Sequence, residues 1–117
     1  MTLCPLIGAI AAGNCALIKP SENSPAAAVV ITEIIEKYLD NDCFRVVNGA
    51  IDETTAILAE KFDKILFTGS GFVGRVVATA AAKHLTPCIL ELYGLPPTFI
   101  STSQQASSRP FEIISPR

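Results

Sequence analysis

Four short apolar runs alternate with longer mixed stretches between Ala16 and Leu92. Ala16-Leu17-Ile18-Lys19, Phe44-Arg45-Val46-Val47, Lys64 to Thr68 and Cys88 to Leu92 read as strands, each bounded by proline, glycine or turn residues. Pro5 to Ala12 reads as a short helix of small and aliphatic residues, halted by Gly13-Asn14. Ser24-Pro25 opens a second helix, with serine as N-cap and proline at the first helical position. Along it Ala27, Val30, Ile31, Ile34 and Tyr38 share one face, while Thr32, Glu33, Glu36, Lys37 and Asp40 share the other. Asp52 is placed to cap a third helix reaching Lys61, with Thr55, Leu58, Ala59 and Phe62 turned to the core. The fourth helix runs from near Phe72 to Lys83, its polar residues confined to a stripe of Arg75, Thr79 and Lys83. A helix that apolar elsewhere is expected to be covered on more than one side.

This alternation predicts an α/β fold, a parallel sheet with helices on both faces. After Tyr93 the pattern stops. Pro96-Pro97, Ser101-Thr102-Ser103-Gln104-Gln105 and Ser107-Ser108-Arg109-Pro110 have no period and few apolar residues, so 96–117 is expected to be a divergent, disordered tail.

Composition adds limits rather than a function. The 117 residues fit one domain able to bury a core, yet half are hydrophobic and only 17% charged. Such a balance points to a surface that something else covers. The net charge is −2 and the lysines are scattered, so no basic stripe argues for nucleic acid. His84 is the sole histidine, and Cys4, Cys15, Cys43 and Cys88 form no C-x-x-C, so no metal site is expected. The cysteines read as small buried hydrophobes in a reducing compartment. Met1 to Cys15 lacks a basic start and reads as a core helix rather than a signal peptide. No uncharged run reaches membrane-spanning length, and a cytoplasmic location is the default expectation.

The chemistry begins at Gly69-Ser70-Gly71-Phe72-Val73-Gly74, a G-x-G-x-x-G spacing between the third strand and the fourth helix. A glycine turn there lets backbone N–H groups approach a pyrophosphate, and the helix N-terminus favours its charge. Glu91, seventeen residues past Gly74, falls near where a dinucleotide fingerprint carries its ribose-binding acid. A P-loop is excluded, because Arg75 stands where a Lys-Ser/Thr pair would be needed.

The order of segments resembles the aldehyde dehydrogenase superfamily, in particular its class 3-like and fungal branch. The matching pieces are Pro5-Leu6-Ile7-Gly8-Ala9-Ile10-Ala11-Ala12-Gly13-Asn14, Leu17-Ile18-Lys19-Pro20-Ser21-Glu22 and Val47-Asn48-Gly49. After them come Phe62-Asp63-Lys64-Ile65-Leu66-Phe67-Thr68-Gly69-Ser70, Val73-Gly74, Ala80 to Pro87 and Leu90-Glu91-Leu92. The resemblance implies that 1–95 is a partial, Rossmann-like NAD(P)-binding domain. It implies that Lys19 and Glu22 hold the adenosine ribose hydroxyls, and that Gly69 and Ser70 approach the pyrophosphate. Val73 then packs near the adenine, Gly74 completes the G-S-x-x-V-G turn, and Gly71 is incidental. Glu91 becomes the general base rather than the ribose acid, a task open to a carboxylate near the reacting thiol or water.

The departures matter as well. The family continues L-E-L-G-G-K, whereas this chain reads Leu90-Glu91-Leu92-Tyr93-Gly94-Leu95. The family's nucleophilic cysteine lies well beyond the glutamate, and no cysteine follows Cys88 here. The resemblance implies a parent activity of NAD(P)-dependent aldehyde oxidation, with the chain itself catalytically incomplete, about a quarter of a typical member. Its partners would be a nicotinamide dinucleotide and, by association, a full-length relative. A second reading is a nucleotide-binding or interaction module without chemistry.

Overall fold

The computed structural model describes residues 2–93. The tail expected over 96–117 lies outside the described residues. In chain order the elements are α1 (Cys4–Ala11), β1 (Ala16–Ile18), α2 (Pro25–Tyr38) and β2 (Phe44–Val46), then α3 (Ile51–Ala59), β3 (Ile65–Gly69), α4 (Gly71–Ala82) and β4 (Cys88–Leu92). The predicted α/β alternation is therefore present throughout. All strand pairing is parallel, and it comes as two ladders, β1 with β2 and β3 with β4. Each ladder is one strand–helix–strand unit, closed by α2 in the first and α4 in the second.

Local chemistry explains most boundaries. Gly13, at φ +72°, ends α1: its N–H donates to the Ile10 carbonyl at 2.9 Å, and the Asn14 N–H to the Ala9 carbonyl at 2.9 Å. That pair of bonds is a Schellman motif, and only a left-handed residue closes it. Pro25 starts α2 as expected, but Ser24, although in the N-cap position, makes no side-chain cap bond. Asp52 does not cap α3. Ala50 occupies the N-cap position and Asp52 lies within the first turn. Glu53 does the work by accepting the Ala50 N–H at 2.8 Å, half of a capping box, since alanine offers no oxygen in return. Gly49 makes room for this: a Cβ there would overlap the Glu53 carboxylate.

The first unit packs around Leu6, Ile18 and Ile35, with Ile31, Leu39, Phe44 and Val46 against them. In α2 the buried stripe is therefore Ala28, Ile31, Ile35 and Leu39, one position round from the predicted Ala27, Val30, Ile34 and Tyr38. Tyr38 stays 69% exposed. Only Ile31 belongs to both. Both stripes satisfy a helical period, and contact with β2 selects the one that packs. In the second unit Val77 and Ala81 of α4 are buried against β3 and β4. Of the residues expected in the core, Leu58 and Phe62 are half-buried, whereas Thr55 and Ala59 are exposed and Ile57 turns inward in their place.

The strands alternate between covered and open positions. Leu17, Leu66 and Ile89 remain about 40% exposed on the open side. The N-terminal helix is not a buried one either: Leu6 alone is buried in α1, while Ile7 and Ile10 face out. Nor are the cysteines buried hydrophobes, for Cys4 and Cys15 are exposed and Cys43 and Cys88 half-buried. Their apolar sequence neighbours set the expectation, but each sits at or beside an element's start, where packing is thin.

Candidate nucleotide site

The residues singled out in the sequence fall into two groups, both at the carboxyl ends of strands, where parallel sheets bind ligands. The first is at the exit of β1. Lys19 follows the last residue of that strand, and the turn closed by the Ser24 N–H on the Ser21 carbonyl at 3.2 Å carries Glu22 beside it. Lys19 Nζ donates to the Pro20 carbonyl at 3.2 Å and to Glu22 Oε2 at 3.3 Å. An ammonium group has three donors, so one is left over, and Glu22 has a second oxygen. A donor and an acceptor side by side suit the two hydroxyls of a vicinal diol. The Lys19 side chain is 19% exposed and that of Glu22 50%, so the pair has a supported end and an open end.

The carboxyl of Glu22 is held below its ordinary value, first by its own backbone N–H, then by the Lys19 hydrogen bond and charge. Glu53, at the start of α3, is also lowered, by its own backbone N–H and that of Ala50, with Lys19 adding its charge. Lys19 thus lies within electrostatic reach of both the ribose candidate Glu22 and the α3 N-terminus. Both carboxyls are depressed in the folded chain, so they contribute stability above the usual glutamate value of 4.5. That contribution is lost as pH falls through their folded values. Glu53→Gln is expected to flatten the acid limb of stability against pH below 4.5, read by urea unfolding at a series of pH values. A limb as steep as that of the parent chain would show that the carboxyl does not act this way.

The second group surrounds the glycine turn. Gly69 ends β3 and is buried, and Ser70 caps α4, its Oγ accepting the Val73 N–H at 3.3 Å. The Ser70 carbonyl accepts the Gly74 N–H at 2.9 Å, so α4 is closed from its first turn. The N–H groups of Gly71 and Phe72, earlier in that turn, have no intrahelical acceptor and point out of the helix end. The three glycines differ in kind. A Cβ on Gly69 would come 2.6 Å from Phe67 Cζ, and one on Gly74 would come 2.6 Å from Leu92 Cδ2. A Cβ on Gly71 would meet nothing within 4 Å. Space therefore constrains the outer two glycines and leaves the middle one free.

Glu91 belongs to this second group. It pairs across the ladder with Thr68, and Leu92 pairs with Gly69. The Tyr93 N–H donates to the Gly69 carbonyl at 3.0 Å, carrying the pairing one step past the strand. So Glu91 stands one strand away from the glycine turn, exposed at the same sheet edge. Tyr93, where the resemblance leads one to expect glycine, is accommodated by lying 80% exposed.

Sequence reasoning missed one feature, a groove between α3 and α4. It has a volume of about 500 Å³, and Leu58, Phe72 and Val76 supply its apolar wall, Arg75 and Lys83 its charge. Phe72 is 74% exposed there, and its place directly after the glycine turn was the available signal. Among the described residues no group of three or more His, Cys, Asp or Glu could hold a metal, and no helix is long and apolar enough to cross a membrane.

The chain matches the model of the aldehyde dehydrogenase family over residues 1–108. It is 53% identical over 100 residues to aldehyde dehydrogenase family 3 member A2 of Rattus norvegicus, covering 86% of this chain and 21% of that protein. Among solved structures, the substrate-bound state of Staphylococcus aureus AldH superposes with a TM-score of 0.77 at 46% identity, covering 80% of this chain and 20% of that one. The NAD-dependent aldehyde dehydrogenase from Sinorhizobium meliloti gives 0.61 at 31% identity, covering 71% of this chain and 17% of that one. The chain thus spans about a fifth of the length of these relatives. With its segments in the same order and its strands and helices in the same arrangement, the chain belongs to the aldehyde dehydrogenase family.

Proposed function

We propose that residues 1–95 form part of an NAD(P)-binding domain and that this chain's role is to hold the dinucleotide. The observation that carries this is the Lys19–Glu22 pair at the exit of β1, a donor and an acceptor 3.3 Å apart and open on one side. The family and a solved NAD-dependent neighbour support a nicotinamide dinucleotide as the ligand. Lys19 donates its remaining N–H to one ribose hydroxyl and Glu22 accepts from the other. The Gly69–Ser70 turn and the first-turn N–H groups of α4 receive the pyrophosphate. Val73 lies beside the adenine, and the groove behind Phe72 gives the base an apolar wall. The ligand is NAD or NADP: NAD offers both hydroxyls, and in NADP the 2′-phosphate stands in place of one of them, on the Lys19 side of the pair.

In the parent reaction, aldehyde oxidation to a carboxylic acid, the nicotinamide supplies the hydride acceptor. Glu91 would act as the base that takes a proton from a thiol or from the water that hydrolyses a thioester. Among the described residues Cys88 begins the strand that carries Glu91, three residues before it, so its thiol does not face that carboxylate as nucleophile. We expect the chain to bind without turning over. The cytoplasm, where a nicotinamide pool is available, is the proposed location.

Tyr93, bonded to Gly69, places a fluorophore at the site. Titration with NAD⁺ is expected to change tyrosine emission saturably, while the same sample with an aldehyde forms no NADH. Absence of any saturable change would remove the binding role, and turnover abolished by Glu91→Ala would overturn the expected inactivity. The exposed apolar stripe of Val30, Ile34 and Tyr38 on α2 supports a second reading, association with a full-length relative through that face.

A further inference from the structure

Two of the four thiols meet. Cys15 immediately precedes β1 and Cys43 immediately precedes β2. Ala16 pairs with Phe44, and the Ala16 N–H donates to the Cys43 carbonyl at 2.8 Å. The ladder thus reaches back to the position at which Cys15 and Cys43 are opposite each other. Neighbouring strands lie about 4.8 Å apart, inside the Cα separation of roughly 4.4–6.8 Å that a disulfide spans. Paired positions in a parallel ladder send their side chains to the same face. The neighbouring Cys15 thiol, with burial and the charges of Asp40 and Asp42, raises the Cys43 thiol above its ordinary value. Cys15 is exposed and Cys43 half-buried, so a small oxidant reaches Cys15 first.

The remaining thiols have no such arrangement. Cys4 begins α1, and Cys88 begins β4 with its Sγ 3.7 Å from the Thr86 carbonyl.

We propose that Cys15 and Cys43 form an oxidisable dithiol, a modification site that a peroxide closes into an intrachain disulfide. In the first step the Cys15 sulfur attacks one peroxide oxygen. The O–O bond breaks, Cys15 becomes a sulfenic acid, and the departing hydroxide leaves as water with the thiol proton. In the second step the Cys43 sulfur attacks the Cys15 sulfur. The S–S bond forms, the S–O bond breaks, and the hydroxyl leaves as water with the Cys43 proton. Two thiols lose two electrons and one peroxide becomes two waters. The new bond ties the entrance of β1 to the entrance of β2 and closes the loop that contains α2. It lies at the opposite end of β1 from Lys19, so the ribose pair stays open.

The test starts from the full chain without substitution. Hydrogen peroxide at one equivalent is added under native conditions, remaining thiols are alkylated, and the digest is mapped by mass. The expected result is one dominant cross-linked pair, Cys15 with Cys43, lighter by two hydrogens, reversed by dithiothreitol, with Cys4 and Cys88 alkylated. Its yield is expected to exceed that of any other pair by more than about tenfold, because the fold supplies the effective concentration, and to lose that advantage in urea. Cys15 carried on to sulfinic acid with Cys43 still alkylated would overturn the proposal. So would the same distribution of pairs in urea as in buffer. Cys15→Ser and Cys43→Ser each remove the cross-link and leave the other thiol open to alkylation.

Discussion

Gly69→Ala is expected to weaken NAD⁺ binding by about a hundredfold, whereas Gly71→Ala leaves it within about twofold. The difference comes from space. At Gly69 the added methyl would lie 2.6 Å from Phe67 Cζ, and Phe67 is half-buried and paired within the ladder, so the ring and the turn must shift. In the proposed site the turn is where backbone meets pyrophosphate, and losing two hydrogen bonds to a charged group, at about 1.5 kcal/mol or more each, gives that factor. At Gly71 nothing lies within 4 Å, and the residue is the first of α4, with a helical backbone that alanine adopts without strain. Isothermal titration of the two variants checks the pair of results. Equal losses would return the motif to a plain G-x-G-x-x-G reading, in which the middle glycine matters.

Lys19→Ala is expected to cost between about tenfold and a hundredfold in cofactor affinity, the range for a hydrogen bond from a charged donor. The lysine side chain is four-fifths enclosed and already directed by the Pro20 carbonyl and Glu22, so little freedom is lost when a ribose hydroxyl arrives. Removing it also leaves Glu22 without the partner that helps hold its carboxyl ionised. Lys19→Arg keeps the charge but not the compact geometry, and should recover only part of the loss. Equilibrium dialysis with NAD⁺ measures all three chains. Unchanged affinity in Lys19→Ala would mean that the pair at the β1 exit is only a surface ion pair.

The two expectations rest on features unequally visible in the sequence. The strands, the helix order and the parallel α/β arrangement were legible, because short apolar runs punctuated by Pro20, Asn48-Gly49 and Gly69-Ser70 leave few alternatives. Position-specific capping was less so. Asp52 looks like a cap from its residue type, but the turn at Gly49 puts Ala50 at the helix start and hands the task to Glu53. The face of α2 could not be read from its pattern. Ala27, Val30, Ile34 and Tyr38 are as periodic as Ala28, Ile31, Ile35 and Leu39, and only tertiary contact with β1 and β2 chooses between them.

The site shows the same division. Lys19 and Glu22 sit three residues apart, and their closeness goes with the turn over Ser21–Ser24. The distinction among Gly69, Gly71 and Gly74 needed the resemblance first, then the neighbouring Phe67 and Leu92 side chains. Glu91's place beside the turn follows from strand register, which no linear spacing gives: Thr68 opposite Glu91 fixes it. The groove behind Phe72 and the meeting of Cys15 with Cys43 depend on packing and pairing between elements far apart in the chain.

Circular dichroism melting with and without NAD⁺ decides whether a dinucleotide is held by Lys19, Glu22 and the Gly69 turn. A ligand that binds only the folded chain, present at about a hundred times its Kd, adds about 2.7 kcal/mol. A cooperative transition is expected to move upward with NAD⁺ concentration in the parent chain and to move far less in Lys19→Ala. A transition that NAD⁺ leaves in place, or one that it raises equally in both chains, would contradict a dinucleotide site at these residues.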